Sequence, residues 1–180
     1  FIEGEIFGVE AMVQHQKVLY MLPNNIEAFV SATPTPIGHS VPFRESDTLG
    51  EQIEEQTRKA VQALGLDDCP VNCDFIKKDG KVYVIELTGR SGATGLSEMV
   101  SIYYGINYYE SIVRLALGEP VGRFFQDGVP HTANLTRTLL SDRKGILRKI
   151  YNYNLPSDDI IDLSFNKTAG DEVKPYRNGR

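Results

Sequence analysis

Two acidic residues, Asp74 and Glu86, flank an Asp79-Gly80 dipeptide in a stretch that otherwise reads as two short strands, Val71 to Lys77 and Lys81 to Leu87. Carboxylates on the two arms of a hairpin can share one hard divalent cation. Oxygen ligands of this type suit Mg²⁺, which keeps bound water and shares phosphate oxygens of a nucleotide. Whether the two acids share a face depends on turn length. A two-residue loop sets Lys78 against Lys81 and Asp74 against Ile85, which sends Glu86 to the opposite face. A three-residue loop of Lys78, Asp79 and Gly80, with Gly80 left-handed, sets Lys77 against Lys81 and Asp74 against Val84. Glu86 then lies diagonally beyond on the same face, at a backbone separation of about 7–8 Å. The longer loop is the expectation, because it also groups Cys73, Phe75, Tyr83, Ile85 and Leu87 as a core face. Asn72, Asp74, Glu86 and Thr88 then cluster at one end of the other face. From the hairpin alone, a solvated sheet edge or pairing with Arg90 explains the acids equally well.

The segment after Glu86 adds to the picture. Leu87 to Gly95 is a Gly-rich loop with one arginine, Arg90, leading into a helical pattern. Such a loop can bring backbone N–H groups and a guanidinium toward an anion beside a metal. It is not a P-loop, since no Gly-Lys-Ser/Thr follows. Taken alone, a Gly-rich turn between strand and helix is more often plain geometry.

The elements that must position these residues can be read from periodicity and punctuation. Ile6 to Val13 and Lys17 to Leu22 read as a hairpin around Gln14-His15-Gln16, ended by Pro23-Asn24-Asn25. A further extended segment covers 26–33, and Pro34, Pro36, Gly38 and Pro42 predict an irregular loop after it. Thr48-x-x-Glu51 reads as a capping box opening a helix from 48 to 64, with Leu49, Ile53, Ala60, Val61 and Leu64 on one face and Gly65 as its stop. A helical pattern from Leu96 to Leu117 breaks at Gly105-Ile106-Asn107 and stops at Gly118-Glu119-Pro120. Beyond 121, strand-like runs at 132–140, 146–153 and 159–165 suggest a small β-rich appendage. The expected class is α+β with antiparallel sheets, residues 1–120 forming the main subdomain and 121–180 the appendage.

Composition narrows the function classes. The 180 residues are 41% hydrophobic and 24% charged with a net charge of −5, a globular profile that gives no reason to expect nucleic acid or an anionic membrane as partner. No apolar run approaches a membrane span and no signal peptide is evident, so a cytoplasmic protein is expected. Cys69 and Cys73 stand alone, without a further His or Cys cluster for a metal site, and they fit a reducing compartment. The start at Phe1 inside a strand-like run, and the polar end at Tyr176 to Arg180, suggest a piece of a longer polypeptide. His39 in the Pro/Gly-rich loop is read as making an ordinary hydrogen bond, and His15 and His131 are assigned no role. Tyr103, Tyr104, Tyr108 and Tyr109 are read as partly core, and Arg143, Lys144, Arg148 and Lys149 as solvated charges. No Ser-His-Asp or Cys-His arrangement can be assembled.

Together, Cys73-Asp74-Phe75, the Asp79-Gly80 turn, Val84 through Arg90 and the Gly92–Gly95 loop resemble the C-terminal part of the ATP-grasp superfamily. That superfamily includes biotin carboxylase, carbamoyl phosphate synthetase, D-alanine–D-alanine ligase and the amino-acid ligases. The resemblance extends to Phe1-Ile2-Glu3-Gly4-Glu5, which looks like the adenine-binding linker strand, and to Gly38–Pro42 ahead of the first helix. It implies that Asp74 and Glu86 bind Mg²⁺ (or Mn²⁺) bridging ATP phosphates, with Thr88 as third ligand where the family commonly has Asn. It implies a catalytic, phosphate-facing Arg90 and main-chain contacts from Phe1 and Ile2 to adenine. Glu5 is a further cofactor-binding candidate, one residue off the family's ribose-binding position and on the wrong face of a regular strand. The family's ribose-binding Glu falls where this sequence has Ile6. The implied reaction is ATP-dependent activation of a carboxylate as an acyl phosphate, then attack by an amine or a thiol, with small-molecule carboxylate and amine as substrates. The family's N-terminal domain and lysine-bearing lid are missing from these residues, so the chain alone is expected to be inactive. The alternative is a nucleotide-binding or structural module that kept the fold and lost catalysis. Oligomeric state is not readable.

Overall fold

A computed structural model describes residues 1–29, 35–125, 131–154 and 157–176. Strand β1 (Glu5–Gln14) and strand β2 (Lys17–Phe29) are joined by His15 and Gln16, both at positive φ (50° and 62°). That pair of left-handed residues makes the tight turn whose twist matches the flanking strands. β2 does not end at Pro23-Asn24-Asn25 as expected. Pro23 pairs with Val9 and Asn25 with Phe7, so the strand runs straight through them. One missing donor is tolerated because both neighbouring strands hold the rest of the segment. The expected irregular loop is instead β3 (Thr35–Val41), whose Gly38–Val41 stretch pairs with β6 (Asn134–Arg137), past Pro36. Pro34 and the end of the expected 26–33 segment lie outside the described residues.

β4 (Cys69–Lys78) and β5 (Lys81–Thr88) complete a six-stranded sheet in the order β5-β4-β1-β2-β3-β6, antiparallel at each pairing described here. The central strand β1 is buried on both faces. Helix α1 (Ser46–Leu64) lays Leu49, Ile53, Thr57 and Val61 against one face. There Phe7 stacks on Phe43 and Phe75 at 4.8 and 5.2 Å, with Val9, Cys73 and Val82 around them. Thr48 is not a helix cap. Glu45 occupies the cap position without a side-chain bond, and the Thr48 hydroxyl donates to the Glu45 carbonyl at 3.2 Å. Leu64 is exposed, while Gly65 closes the helix in the left-handed conformation (φ 63°).

Helices α2 (Leu96–Tyr104) and α3 (Tyr108–Ala116) break at Gly105 and restart at Asn107, whose side chain accepts from the Glu110 N–H. They pack with Met12, Tyr20, Leu22 and Val41 in a second core. Met12 and Phe7 have opposite parity on β1, so this core lies on the other face of the sheet. Of the four tyrosines, Tyr108 is fully buried and Tyr109 exposed. The fold is thus α+β, an antiparallel sheet covered by helices. Because β6 joins this sheet, the first compact unit comprises 1–30 and 36–138. The second comprises 31–35 and 139–180. In it, the described regular structure of 139–176 is one short ladder, β7 (Gly145–Ile146) with β8 (Glu172–Val173), so the runs expected at 146–153 and 159–165 are not regular strands. No helix of the described residues is long and apolar enough to cross a membrane.

Candidate active site

The β4–β5 turn is a two-residue loop. Lys78 pairs with Lys81, and Asp79 and Gly80 both have positive φ (50° and 72°). The three-residue register expected from the sequence is therefore wrong, yet the two acids still meet. Phe75 pairs with Val84 and the next residue back, Asp74, pairs with Glu86, so Ile85 is an extra residue on β5. This β-bulge shifts the strand by one position and flips every later side chain to the other face. Asp74 and Glu86 thereby stand directly opposite rather than diagonal. The two-residue turn already sets Tyr83 against Ile76 and Val82 against Lys77, so Tyr83, expected in the core, is exposed and Val82 is buried against the α1 side. Ile85, also expected in the core, is the bulged residue and is exposed.

Register extends the pair into a polar strip. Across four strands, Asn24, Gly8, Asp74 and Glu86 form one row, and Leu22, Glu10, Asn72 and Thr88 form a row on the same face. Asp74 is half-buried and Glu86 exposed. Burial raises the Asp74 pKa first, the like charge of Glu86 adds to it, and Arg90 opposes it. A desolvated Asp74 carboxylate held opposite the carboxylate of Glu86 would be relieved by a cation between them. That donor set fits Mg²⁺ in part: among the described residues no group of three or more His, Cys, Asp or Glu is placed to hold a metal. Two carboxylates leave most of an octahedral shell to water and phosphate oxygens, which is how Mg²⁺ is commonly held beside a nucleotide.

Thr88, on the same strip, points its hydroxyl to the Asn72 carbonyl at 3.4 Å. Arg90 is exposed and donates from Nη1 to the Ser91 carbonyl at 2.8 Å. The chain places Glu5 elsewhere. It pairs with Lys77 on the Phe7 face of the sheet, and its carboxylate forms an ion pair with Lys77 Nζ at 3.1 Å, which also engages Glu45. Glu5 is therefore on the face opposite Asp74 and is not brought to the Asp74–Glu86 pair. Phe1 and Ile2 precede β1 and are exposed.

Two side chains in the strip escaped the sequence reading. Glu10 is fully buried, and its Oε1 accepts from Asn72 Nδ2 at 2.7 Å and from the Gly92 N–H at 3.0 Å. Oε2 has no partner. Burial pushes its pKa to about 8 against the bonds from Asn72 and Gly92 and the charge of Arg90. The signal was a lone acid in an otherwise apolar run, Val9-Glu10-Ala11. Asn24 is the other; its Oδ1 lies 2.9 Å from Nδ1 of His39, which is buried and held neutral, with a pKa lowered to about 4 by desolvation. His39 thus makes the ordinary hydrogen bond expected of it.

No protein-family model matches the sequence, and no curated protein does. Solved structures do. Phosphoribosylglycinamide synthetase from Anaerococcus prevotii superposes with a TM-score of 0.91 at 42% identity, covering 99% of this chain and 46% of that one. L-amino acid ligase from Bacillus licheniformis gives 0.71 at 23% identity, over 83% of this chain and 39% of that one. The ATPase subunit of phosphoribosylaminoimidazole carboxylase from Aquifex aeolicus gives 0.55 at 18% identity, over 84% and 41%. The last two likenesses concern the fold alone. These are ATP-grasp enzymes, and the chain belongs to the ATP-grasp superfamily. It spans less than half the length of each of these structures.

Proposed function

We propose that this chain is the C-terminal part of an ATP-dependent carboxylate–amine or carboxylate–thiol ligase. The observation that carries the reading is the bulge-set pair, Asp74 directly opposite Glu86, with Arg90 close enough to offset the Asp74 charge. The 42% identity to phosphoribosylglycinamide synthetase supports a ligase that handles small molecules of that kind. Asp74 and Glu86, with Thr88, would hold Mg²⁺, which when bound neutralises phosphate charge and orients ATP. Arg90 would bind the transferring phosphoryl group through its fork of N–H donors and favour charge developing on it. Phe1 and Ile2 would supply main-chain contacts to adenine. The Gly-rich loop would help keep water from an acyl phosphate until the nucleophile attacks. A cytoplasmic setting agrees with the two free thiols.

A second reading, nucleotide binding without ligation, draws on Thr88. A hydroxyl turned to the Asn72 carbonyl is a poorer metal ligand than an amide oxygen. Carboxylate-dependent ADP release by the full-length protein separates the two readings. In that protein Asp74→Asn and Glu86→Gln are expected to lower Mg-dependent turnover on the order of 100-fold each. Mg-dependent ATP binding that is absent in the parent, with both variants indistinguishable from it, would sink the ligase reading. The 180-residue chain by itself is expected to show no measurable turnover.

A further inference from the structure

The Gly-rich loop that carries Arg90 needs an anchor, and the fold supplies one from a strand eighty residues earlier in the chain. Glu10 lies fully buried on the central strand β1, one row along from Gly8 and Asp74. Its Oε1 receives two bonds, from Asn72 Nδ2 at 2.7 Å on β4 and from the Gly92 N–H at 3.0 Å in the loop. We propose that Glu10 is a positioning residue, tying the Arg90 loop to the strand pair that bears Asp74 and so fixing the loop against the metal pair. It touches none of the reacting groups itself.

The loop is built to approach Glu10. A Cβ on Gly92 would lie 2.3 Å from Leu96 Cδ1, 2.7 Å from Glu10 Oε1 and 2.9 Å from Asn72 Nδ2. Any larger residue would have to push the loop off the carboxyl or displace the side chains. A buried carboxyl with one oxygen doubly used and the other bare is a costly feature for a merely structural strand position, where a Leu or Val would pack without penalty. The alternative, that Glu10 merely fills space, leaves the two converging donors unexplained.

The role in turnover rests on the ligase reading, so the test has one arm that does not. In the 180-residue chain, exchange of the Gly92 amide with solvent is followed by NMR. Gln at position 10 retains an Oε1 acceptor, so Glu10→Gln should leave Gly92 exchange within about threefold of the parent, while Glu10→Leu should speed it about tenfold or more. In the full-length protein, Glu10→Leu should lower kcat about tenfold or more with KM for MgATP within about threefold, and Glu10→Gln should restore kcat. Should Glu10→Leu not fold, Gly92→Ala displaces the loop with Glu10 intact and should give the same kcat loss at unchanged KM. Unchanged Gly92 exchange in Glu10→Leu overturns the tether. Altered exchange with kcat unchanged in both Glu10→Leu and Gly92→Ala overturns the positioning role. A parent protein without ATP turnover overturns the ligase reading and leaves the exchange arm to decide the tether.

Discussion

Glu10 is a fully buried acid whose proton is held well past the ordinary carboxylate range, to about 8, chiefly by burial. In the unfolded chain the same group ionises near 4.3. Between those values the native state holds a proton that the unfolded state has released. Its contribution is therefore fully present below the unfolded pKa and is lost as pH rises toward 8, at up to about 1.4 kcal/mol per pH unit. The charges that bear on it are Asp74, which raises its pKa, and Arg90, which lowers it. Glu10→Gln removes this titration. Urea unfolding at pH 5, 6, 7 and 8 is expected to show the parent losing stability relative to Glu10→Gln across that interval. Parallel curves would mean that Glu10 is already ionised in the native state, compensated by Arg90. The Asp74–Glu86 pair was legible as two acids in one hairpin. Glu10 was not, because nothing in Val9-Glu10-Ala11 shows that β1 is the central strand and that its polar neighbour, Asn72, lies across the ladder.

At the scale of elements, the hairpin turn decides which face each side chain takes. Asp79 and Gly80 sit at φ 50° and 72°, a pair of left-handed residues for which Gly is the low-cost choice at the second position. No atom of the described residues lies within 4 Å of a Cβ built on Gly80, so Gly80→Ala tests backbone strain without a clash. It is expected to cost about 1–2 kcal/mol in thermal or urea unfolding. A cost near zero would mean the turn relaxes to another type. The dipeptide marked the turn in the sequence, but its length was ambiguous by one residue, and the wrong length put the acids on one face but diagonal, where the bulge sets them directly opposite. The compensating bulge at Ile85 could not be read, since an exposed isoleucine between Val84 and Glu86 looks like ordinary strand. Pro23 and Pro36 misled in the other direction, because a proline removes one donor, and neighbouring strands can hold the remainder. The α1 face and the α2–α3 break were legible, since Leu49, Ile53 and Val61 keep helical spacing and Gly105 carries its own backbone signal.

At the scale of the molecule, the open question is where the sheet closes, and β6 answers it. Asn134–Arg137 pairs with Gly38–Val41, and Thr136 lies against Gly95 at the start of α2, with its Oγ1 2.3 Å from where a Cβ would stand. Asn134 Nδ2 reaches the Met99 carbonyl at 3.3 Å, and Thr132 N–H the Tyr103 carbonyl at 3.1 Å. Val121, fully buried, belongs to the same core, and its N–H donates to Gln14 Oε1 at 3.0 Å. A boundary at 120 would cut away every one of these contacts, whereas one after 138 would cut none. The strand-like run at 132–140 was visible, but composition alone assigned it to the appendage, because pairing with a strand about a hundred residues earlier leaves no local mark. A chain ending at Thr138 is expected to unfold cooperatively with a midpoint close to that of the 180-residue chain. One ending at Pro120 should lose about 3 kcal/mol or more, from the buried Val121 side chain and the severed ladder. The loss should appear in urea unfolding followed by circular dichroism, and in faster amide exchange in β3 and α2. Equal stability of the two truncated chains would show that β6 adds nothing to the sheet, and the boundary would then move back toward 120.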